Sequence, residues 1–124
     1  MKLVTPREAF LQHLQIVAPV SPSRTPRPIL KDVLIAVTEN QVRLTATDGE
    51  ISVTTSYEDE GVSGDGQAAL PTATTLEAVR SLQDDEVCID DKGAFHQISG
   101  GRAEFKLHGD DPAVYPEIHS VDKE

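Results

Sequence analysis

The residues with the clearest chemical potential are two arginines in a proline-rich stretch near the start of the chain. Ser21 to Leu30 reads Ser-Pro-Ser-Arg-Thr-Pro-Arg-Pro-Ile-Leu, so Arg24 and Arg27 stand among three prolines. Proline fixes φ and restricts the residue before it to extended geometry, which predicts a stiff connector. Such a connector is suited to present two guanidinium groups to an anion. The alternative is a crossover loop whose arginines are simply solvated.

A second group of possible ligands lies near the end of the chain: His108, Asp110, Asp111, Glu117 and His119. Imidazoles and carboxylates bind metals, but this spacing matches no known site and prolines interrupt it, so we expect a solvated loop and no metal. Cys88 falls within a predicted strand and is interpreted as structural rather than reactive. Phosphate-cradling and nucleophile motifs are missing, so we predict no catalytic residue and no cofactor.

Composition and charge indicate one acidic globular domain. The chain has 124 residues, a net charge of −10 and one cysteine, so neither an internal disulfide nor secretion is indicated. No apolar run approaches the roughly 20 residues of a membrane span, and a cytoplasmic protein is expected. The charge is uneven: residues 1–31 sum to +4 and residues 32–124 to −14. An acidic protein of this kind can still concentrate positive potential on one surface.

The elements that must position the arginines follow from hydrophobic periodicity. We predict helices over 6–18 and 72–82, because apolar residues recur there at helical spacing after a proline. Strands are predicted over 2–4, 33–38, 41–47, 51–56, 67–70, 86–90, 94–99 and 102–108, where apolar and polar residues alternate or run together. The acidic, glycine-rich segment 58–66 is interpreted as a mobile loop. The tail, residues 109–124, is interpreted as a loop that ends in a linker.

Each helix has a candidate capping box at its start. Thr5 and Glu8 form a Thr-x-x-Glu pair before the first helix, and Thr74 and Glu77 form another in the second, where Thr72 is an alternative cap. The chain is therefore predicted to contain two repeats of about 55 residues, each made of a strand, a helix and three strands. The simplest arrangement is an α+β fold with both helices packed on one face of an antiparallel sheet.

Several segments, in this order, resemble the first domain of the bacterial DNA polymerase III β subunit family, the sliding clamps. They are the Met-Lys start and strand–helix opening, the connector running from Arg24 through Pro-Ile-Leu-Lys-Asp-Val-Leu-Ile, Leu-Thr-Ala-Thr-Asp-Gly-Glu-Ile at 44–51, Leu-Pro at 70–71, Gly-Gly-Arg-Ala-Glu-Phe-Lys-Leu at 100–107, and Asp-Pro-Ala-Val-Tyr-Pro at 111–116. The resemblance implies a DNA-clamp fold. It also implies a non-catalytic function, the tethering of DNA polymerase III to duplex DNA as a processivity factor.

The resemblance implies a ring. In the family, three such domains per chain and two chains close head to tail around double-stranded DNA, without sequence preference. Helices line the hole, and the homodimer forms through contact between the first domain and the partner's third domain. We interpret residues 1–119 as the first domain and 120–124 as the start of an interdomain linker, so that the chain is a fragment. DNA polymerase III and the clamp loader would then bind to later domains.

The resemblance also assigns site residues. It places Arg24 and Arg80 against the DNA backbone, while Arg27 is an addition in the same loop and Arg7 is a weaker candidate. At the subunit interface it places Phe105 and Leu107 on the edge strand, with Thr74 at the start of the second helix. Plain core packing is the alternative explanation of Phe105 and Leu107.

Two features depart from the family pattern, and two other functions stay open. The exposed positions of the helices carry Gln12, Gln15 and Thr72 to Thr74, where the family often has basic residues, so weaker DNA contact is expected. Glu104 stands where a basic interface residue is common. The first alternative function is a stand-alone acidic protein-interaction module with the same fold. The second is a small hydrolase or metal enzyme that uses the His108–His119 cluster.

Overall fold

Eight strands form one antiparallel sheet, and two helices pack on it. The computed structural model describes residues 1–116. The strands are β1 (Lys2–Pro6), β2 (Asp32–Thr38), β3 (Gln41–Thr47), β4 (Ser52–Glu58), β5 (Ser63–Pro71), β6 (Glu86–Asp91), β7 (His96–Gly100) and β8 (Ala103–Leu107). The helices are α1 (Arg7–Val17) and α2 (Thr72–Ser81), and short 3₁₀ turns cover Ala18–Val20, Pro28–Lys31 and Pro112–Val114. The predicted α+β architecture and the duplicated element order are confirmed.

The two repeats exchange their first strands. The sheet order is β4-β3-β2-β5-β1-β6-β7-β8, with every neighbouring pair antiparallel. Strand β5 opens the second repeat but pairs with β2 of the first, whereas β1 opens the first repeat and pairs with β6 of the second. Each repeat therefore completes its sheet with a strand of the other. Because of this exchange, the two repeats form one sheet and share one core.

Strand β5 begins earlier than the sequence predicted. The glycine-rich segment 58–66 was expected to be a loop, but its last four residues belong to β5, with Ser63 to Asp65 opposite β1 and Gly66 to Pro71 opposite β2. Gly64 has φ +122°, and a Cβ there would overlap the carbonyl oxygen of Lys2. Glycine therefore serves here to let β5 approach β1 closely as it turns toward β2, and a loop prediction from glycine content is wrong.

The core lies between the helices and the sheet. Helix α1 buries Phe10, Leu14 and Val17, which follow one another at the four- and three-residue spacing of a helical face. Helix α2 buries Ala78 and Val79 in the same layer. The strands supply the opposite wall with fully buried side chains that include Leu3, Ile35, Leu44, Ile89 and Ile98. Each such aliphatic side chain contributes about 1.5–3 kcal/mol relative to exposure.

The predicted capping box of α1 is wrong. The residue before the helix is Pro6, and no side chain caps the first turn. Thr5 belongs to β1, is fully buried, and shares a 2.7 Å hydrogen bond with the hydroxyl of Tyr57. The hydroxyl is thus engaged by β4 rather than by the helix. Because Pro6 holds the chain extended up to the helix, the strand runs directly into α1 without a capping loop.

The predicted capping box of α2 is wrong for the same reason. Helix α2 begins at Thr72 directly after Pro71, and no side chain caps it. Thr74 therefore lies inside the first turn, where it cannot be the N-cap residue, and it is exposed. The hydroxyls of Thr72 and Thr75 are buried without a hydrogen-bond partner within residues 1–116.

Candidate nucleic-acid interface and edge strand

The connector after α1 holds both of its arginines at the surface. Arg24 and Arg27 are exposed, and neither belongs to an ion pair within residues 1–116. The base of the connector is closed by Ser21, whose hydroxyl donates to the carbonyl of Leu30 at 3.0 Å. Leu30 itself is buried, and Pro28 starts the 3₁₀ turn that leads into β2. A closed base and three prolines fix the backbone, so both guanidinium groups project from a well-defined loop.

Arg7 has a different environment from the other candidate arginines. Its Nε donates to the carbonyl of Val79 at 3.0 Å, and its terminal nitrogen donates to the carbonyl of Arg80 at 2.9 Å. These carbonyls belong to the last turn of α2, where backbone acceptors lack the N–H partner four residues on and carry partial negative charge. The carbonyl of Val79 also accepts from the backbone N–H of Leu82 at 3.2 Å. The structure therefore places the Arg7 guanidinium as a cap on the C-terminus of α2. The side chain of Arg80, in contrast, is exposed.

The two helices run antiparallel, which separates the arginines into two groups. The start of α1 meets the end of α2 through Arg7, and the chain after α1 meets the start of α2, since Ser23 and Thr72 line one surface depression. The arginines of the connector therefore lie near one end of the helix pair, and Arg80 lies at the other. A helix of ten residues is about 15 Å long. On B-DNA, that length spans about four phosphates of one strand.

The exposed helix surfaces carry little net charge. Helix α1 exposes one acidic residue and three uncharged ones: Glu8, Gln12, Gln15 and Ile16. Helix α2 exposes one acidic and one basic residue among small ones: Ala73, Thr74, Glu77, Arg80 and Ser81. The positive charge that the helix side presents therefore comes mainly from Arg80 and from the connector.

Strand β8 is a sheet edge, because it pairs with β7 and with no second strand among the described residues. Phe105 is half-buried, whereas Leu107 is 3% exposed and packs in the core. On the other face of β8, Glu104 accepts a 2.8 Å hydrogen bond from Gln97. The predicted alternation along β8 is confirmed. Of the two apolar residues assigned to an interface, only Phe105 retains substantial accessible surface.

The residues considered for metal and thiol chemistry converge on no site in the described part of the chain. Within residues 1–116, no three His, Cys, Asp or Glu side chains lie close enough together to hold a metal ion. Glu117 and His119 of the candidate cluster lie outside the described residues. Cys88 is half-buried in β6. No helix of residues 1–116 combines the length and the apolar character needed to cross a membrane.

Sequence reasoning missed a buried polar site on the sheet face opposite the helices. Asp32 is 3% exposed, and its Oδ2 has no hydrogen-bond partner within residues 1–116. The hydroxyl of Tyr115 shares its proton between the backbone carbonyls of Asp32 at 3.2 Å and Thr45 at 3.3 Å. Burial, reinforced by the neighbouring Asp110 carboxyl, raises the pKa of Asp32 to about 8. The only sequence signal was a carboxylate at the start of an otherwise apolar strand.

Comparison with known proteins identifies the family to which the chain belongs. Residues 1–119 match the family model described as the DNA polymerase III beta subunit, N-terminal domain. The beta sliding clamps of Staphylococcus epidermidis and Halalkalibacterium halodurans are each 30% identical to the chain, over all of the chain and 35% of their own length. The chain thus spans about a third of the length of these relatives.

Solved structures agree with this match. The chain is similar to DNA polymerase III subunit beta from Pseudomonas aeruginosa, with a TM-score of 0.90 and 28% identity over 97% of the chain and 33% of that protein. The sliding clamp of Bacillus subtilis gives a TM-score of 0.90 and 27% identity over 97% of the chain and 34% of that protein. Neither comparison supports a stand-alone interaction module. The chain belongs to the DNA polymerase III β-subunit family of sliding clamps, and it corresponds to the N-terminal domain of that family.

Proposed function

We propose that the chain acts as the first domain of a ring that encircles double-stranded DNA without reading its sequence. The observation that carries this proposal is the exposed pair Arg24 and Arg27 on a stiff connector beside the helix pair. In the proposed ring, α1 and α2 face the DNA and the opposite face of the sheet lies outside. The protein would serve as a processivity factor that holds DNA polymerase III on its template, and the chain itself would catalyse nothing.

The charge distribution suits sliding rather than tight binding. Each phosphate that a protein neutralises releases counterions and adds a salt-sensitive increment of affinity. Many such contacts would hold the DNA in one register. The exposed surface of the helices is almost neutral, so contact would depend on Arg24, Arg27 and Arg80. Arg7 would contribute indirectly, since it holds the end of the helix that carries Arg80.

Ring closure is proposed to use the edge of β8. An edge strand offers unpaired N–H and C=O groups to a partner strand. Phe105 would supply the apolar contact beside these hydrogen bonds, and Thr74 lies exposed at the start of α2, which also contacts β8. Leu107 would support the interface from inside the core.

The remaining parts of the proposal rest on the family. Residues 1–119 would form the first domain and residues 120–124 the start of the linker to the second. The homodimer would join the first domain of one chain to the third domain of its partner. DNA polymerase III and the clamp loader would bind later domains, and the protein would act in the cytoplasm.

The test of the DNA contact uses the full-length protein and its affinity for duplex DNA across a range of salt concentrations. Arg24→Ala should lower the slope of log affinity against log salt by about 0.9, the value of one phosphate contact. The loss should be the same on duplexes of unrelated sequence. Arg43→Ala is the matched control, because Arg43 is an exposed arginine of β3 between the inward-facing Val42 and Leu44 and so lies on the opposite face. An unchanged slope for Arg24→Ala, or a loss confined to one sequence, would overturn the proposal.

The ring interface is tested separately by the dimer dissociation constant from sedimentation. Phe105→Ala should raise this constant at least tenfold, because a half-buried aromatic ring at a docking edge loses its contact area. Phe95→Ala is the control, since Phe95 is a half-buried ring directly before β7 that contacts Lys106 on the chain itself. Equal dissociation constants for the wild type and Phe105→Ala would exclude the interface role.

A further inference from the structure

Strand β8 carries two opposite charges that no other group neutralises in the described part of the chain. Glu104 and Lys106 alternate with Phe105, so they share the face of the sheet opposite the helices. Both are exposed, and neither belongs to an ion pair in that part of the chain. Glu104 accepts one hydrogen bond from Gln97 through Oε2. The ammonium of Lys106 lies 5.1 Å from the centre of the Phe95 ring. Each side chain thus contacts a neutral neighbour, and its charge stays available to a partner beside the edge.

The backbone groups of these same two residues point away from the sheet. Gly100 pairs with Ala103 across the two-residue turn that joins β7 to β8. The pair that flanks such a turn is hydrogen-bonded, and hydrogen-bonded pairs alternate with non-hydrogen-bonded pairs along an antiparallel ladder. Ala103 and Phe105 therefore bond toward β7, whereas the N–H and C=O groups of Glu104 and Lys106 are directed outward. These are the groups that an added strand would meet.

The charges of β8 are complementary to those of a second copy of the same strand. When two antiparallel copies are centred on Phe105, each Glu104 stands opposite a Lys106, and the strands overlap over all of Ala103–Leu107. Both members of each pair then have outward-directed backbone groups, as the ladder requires. The contact is isologous, because it occurs twice about a two-fold axis. Moving the centre to Glu104 or to Lys106 would place like charges opposite each other, which is unfavourable.

The apolar residue of the edge fits the same register. Phe105 is half-buried on the helix side of the sheet, and it would stand opposite its own copy on the two-fold axis. There it forms a non-hydrogen-bonded pair, in which the Cα atoms lie only about 4.5 Å apart and the side chains come closest. Aromatic pairs and pairs of opposite charge both stabilise cross-strand contacts. The charged face and the apolar face of β8 therefore favour one and the same alignment.

Charges on an edge strand can also prevent pairing, because a strand that covers an unpaired charge must desolvate it. That role suits an edge of one sign better than β8, whose two signs match at full overlap. The opposite edge of the sheet, β4, provides the contrast. Its face opposite the helices carries Ser52, Thr54 and Ser56, with a single charge at Glu58. A second copy of β4 would therefore meet no opposite charge on that face.

We propose that β8 is a self-recognition edge, through which two copies of this chain pair with each other in the register centred on Phe105. The proposal goes beyond ring closure and competes with it. Each chain has one β8, so this edge can take either the β8 of a second copy or the third domain of a partner, but not both at once. In a dimer joined through β8, the edge proposed to close the ring is occupied, so the ring stays open.

The test measures self-association of the 124-residue chain by sedimentation equilibrium, from micromolar to millimolar concentration. The chain is suitable by itself because its two repeats share one core. Salt at about 0.15 M screens the repulsion between two molecules of net charge −10. We expect an equilibrium between monomer and dimer. Glu104→Lys and Lys106→Glu each place like charges opposite each other, so each should raise the dimer dissociation constant by about tenfold or more.

Mixing the two variants gives the sharpest result. In an equimolar mixture of Glu104→Lys and Lys106→Glu chains, every pair across the axis joins opposite charges, so a heterodimer should form with about the wild-type dissociation constant. The double variant, which exchanges the two charges within one chain, should likewise dimerise as the wild type does. Glu58→Lys is the matched control, because it makes the same change of charge at the β4 edge and should leave the dissociation constant unchanged.

Three results would overturn the proposal, with circular dichroism to show that each variant is folded. The first is a wild-type chain that stays monomeric over the whole range. The second is a dimer that Glu104→Lys and Lys106→Glu do not weaken, or that Glu58→Lys weakens equally. The third is a mixture that forms no more heterodimer than either variant forms homodimer. Ring closure is measured in the full-length protein, where β8 meets a different strand, so either proposal can fail without the other.

Discussion

Arg7→Ala should destabilise the fold and leave direct DNA contact almost intact, although Arg7 belongs to the arginines that the sequence pointed toward DNA. The guanidinium donates to the carbonyls of Val79 at 3.0 Å and Arg80 at 2.9 Å. A net hydrogen bond from a charged donor contributes about 1.5–3 kcal/mol when buried, and a cation at a helix C-terminus about 0.3–1 kcal/mol. Arg7 is half-buried, and as the first residue of α1 it opposes the dipole of its own helix. The net loss should therefore be about 1–2 kcal/mol.

The assay is urea unfolding followed by circular dichroism. With a denaturant slope of about 2 kcal/mol/M for a domain of this size, the expected loss moves the midpoint down by roughly 0.5–1 M. Arg7→Lys should recover part of the stability, because an ammonium group reaches a carbonyl but lacks the fork that spans two. Arg80→Ala is the control: its side chain is exposed, so it should cost less than about 0.5 kcal/mol.

DNA binding by the full-length protein then distinguishes the roles of Arg7 and Arg80. Arg80→Ala should lower the salt slope, and Arg7→Ala should change it little once the protein is folded. Arg7 would have no capping role if Arg7→Ala unfolded at the wild-type urea concentration and lowered the salt slope by as much as Arg80→Ala. That outcome would mean that the guanidinium faces DNA in solution and does not cap α2.

Three further substitutions test the packing and the buried carboxyl. Gly64→Ala should cost about 2–4 kcal/mol in urea unfolding, because the added Cβ overlaps the Lys2 backbone at a φ of +122°. Leu107→Ala should cost about 2–4 kcal/mol as a core truncation, whereas Phe105→Ala should cost less in the isolated chain and mainly weaken dimerisation. Asp32→Asn should stabilise the chain increasingly from pH 4 to pH 8. Folded Asp32 keeps its proton up to a pKa of about 8 while the unfolded residue loses it near 3.8, so wild-type stability falls by about 1.4 kcal/mol per pH unit over that window.

Each of these has a result that would contradict it. Gly93→Ala is the control for Gly64→Ala, since Gly93 also has a positive φ but nothing lies within 4 Å of an added Cβ. Equal losses of unfolding free energy in the two variants would show that β5 does not approach β1 closely at Gly64. A larger loss of unfolding free energy for Phe105→Ala than for Leu107→Ala would show that Phe105, rather than Leu107, packs in the core. A difference between Asp32→Asn and wild type that stays constant from pH 4 to pH 8 would show that Asp32 ionises normally.

Local patterns in the sequence predicted the elements well. Helical spacing of Phe10, Leu14 and Val17 placed α1 to within a residue at each end. Strict alternation gave the observed bounds of β3 and placed β8 to within a residue at each end. These predictions hold because each pattern reflects which face of one element is buried, and that face repeats every few residues. The prolines likewise indicated the stiff connector and the start of both helices, since their φ restriction acts on the adjacent backbone.

Predictions failed where a residue's role depends on a partner far along the chain. Thr5 was expected to cap α1, but it bonds to Tyr57 across the sheet. The glycines near β5 were expected to mark a loop, but Gly64 lets one strand pass close to another. A threonine before a helix has the same neighbours in sequence whether it caps that helix or bonds to a distant strand. A glycine in a polar segment likewise has the same neighbours whether it lies in a loop or in a strand.

Local patterns along the chain were enough to predict the order of the elements, the faces that they bury and the exposed arginines of the connector. The folded chain was needed to show which strands exchange between the repeats, that Arg7 caps a helix 72 residues away, and that the Tyr115 hydroxyl bonds to the carbonyl of Asp32, 83 residues away. The difference lies in how far along the chain each interaction reaches. Periodicity and proline geometry act over a few bonds, whereas strand pairing, helix capping in trans and burial of a carboxyl depend on the closure of long loops, which no local pattern encodes.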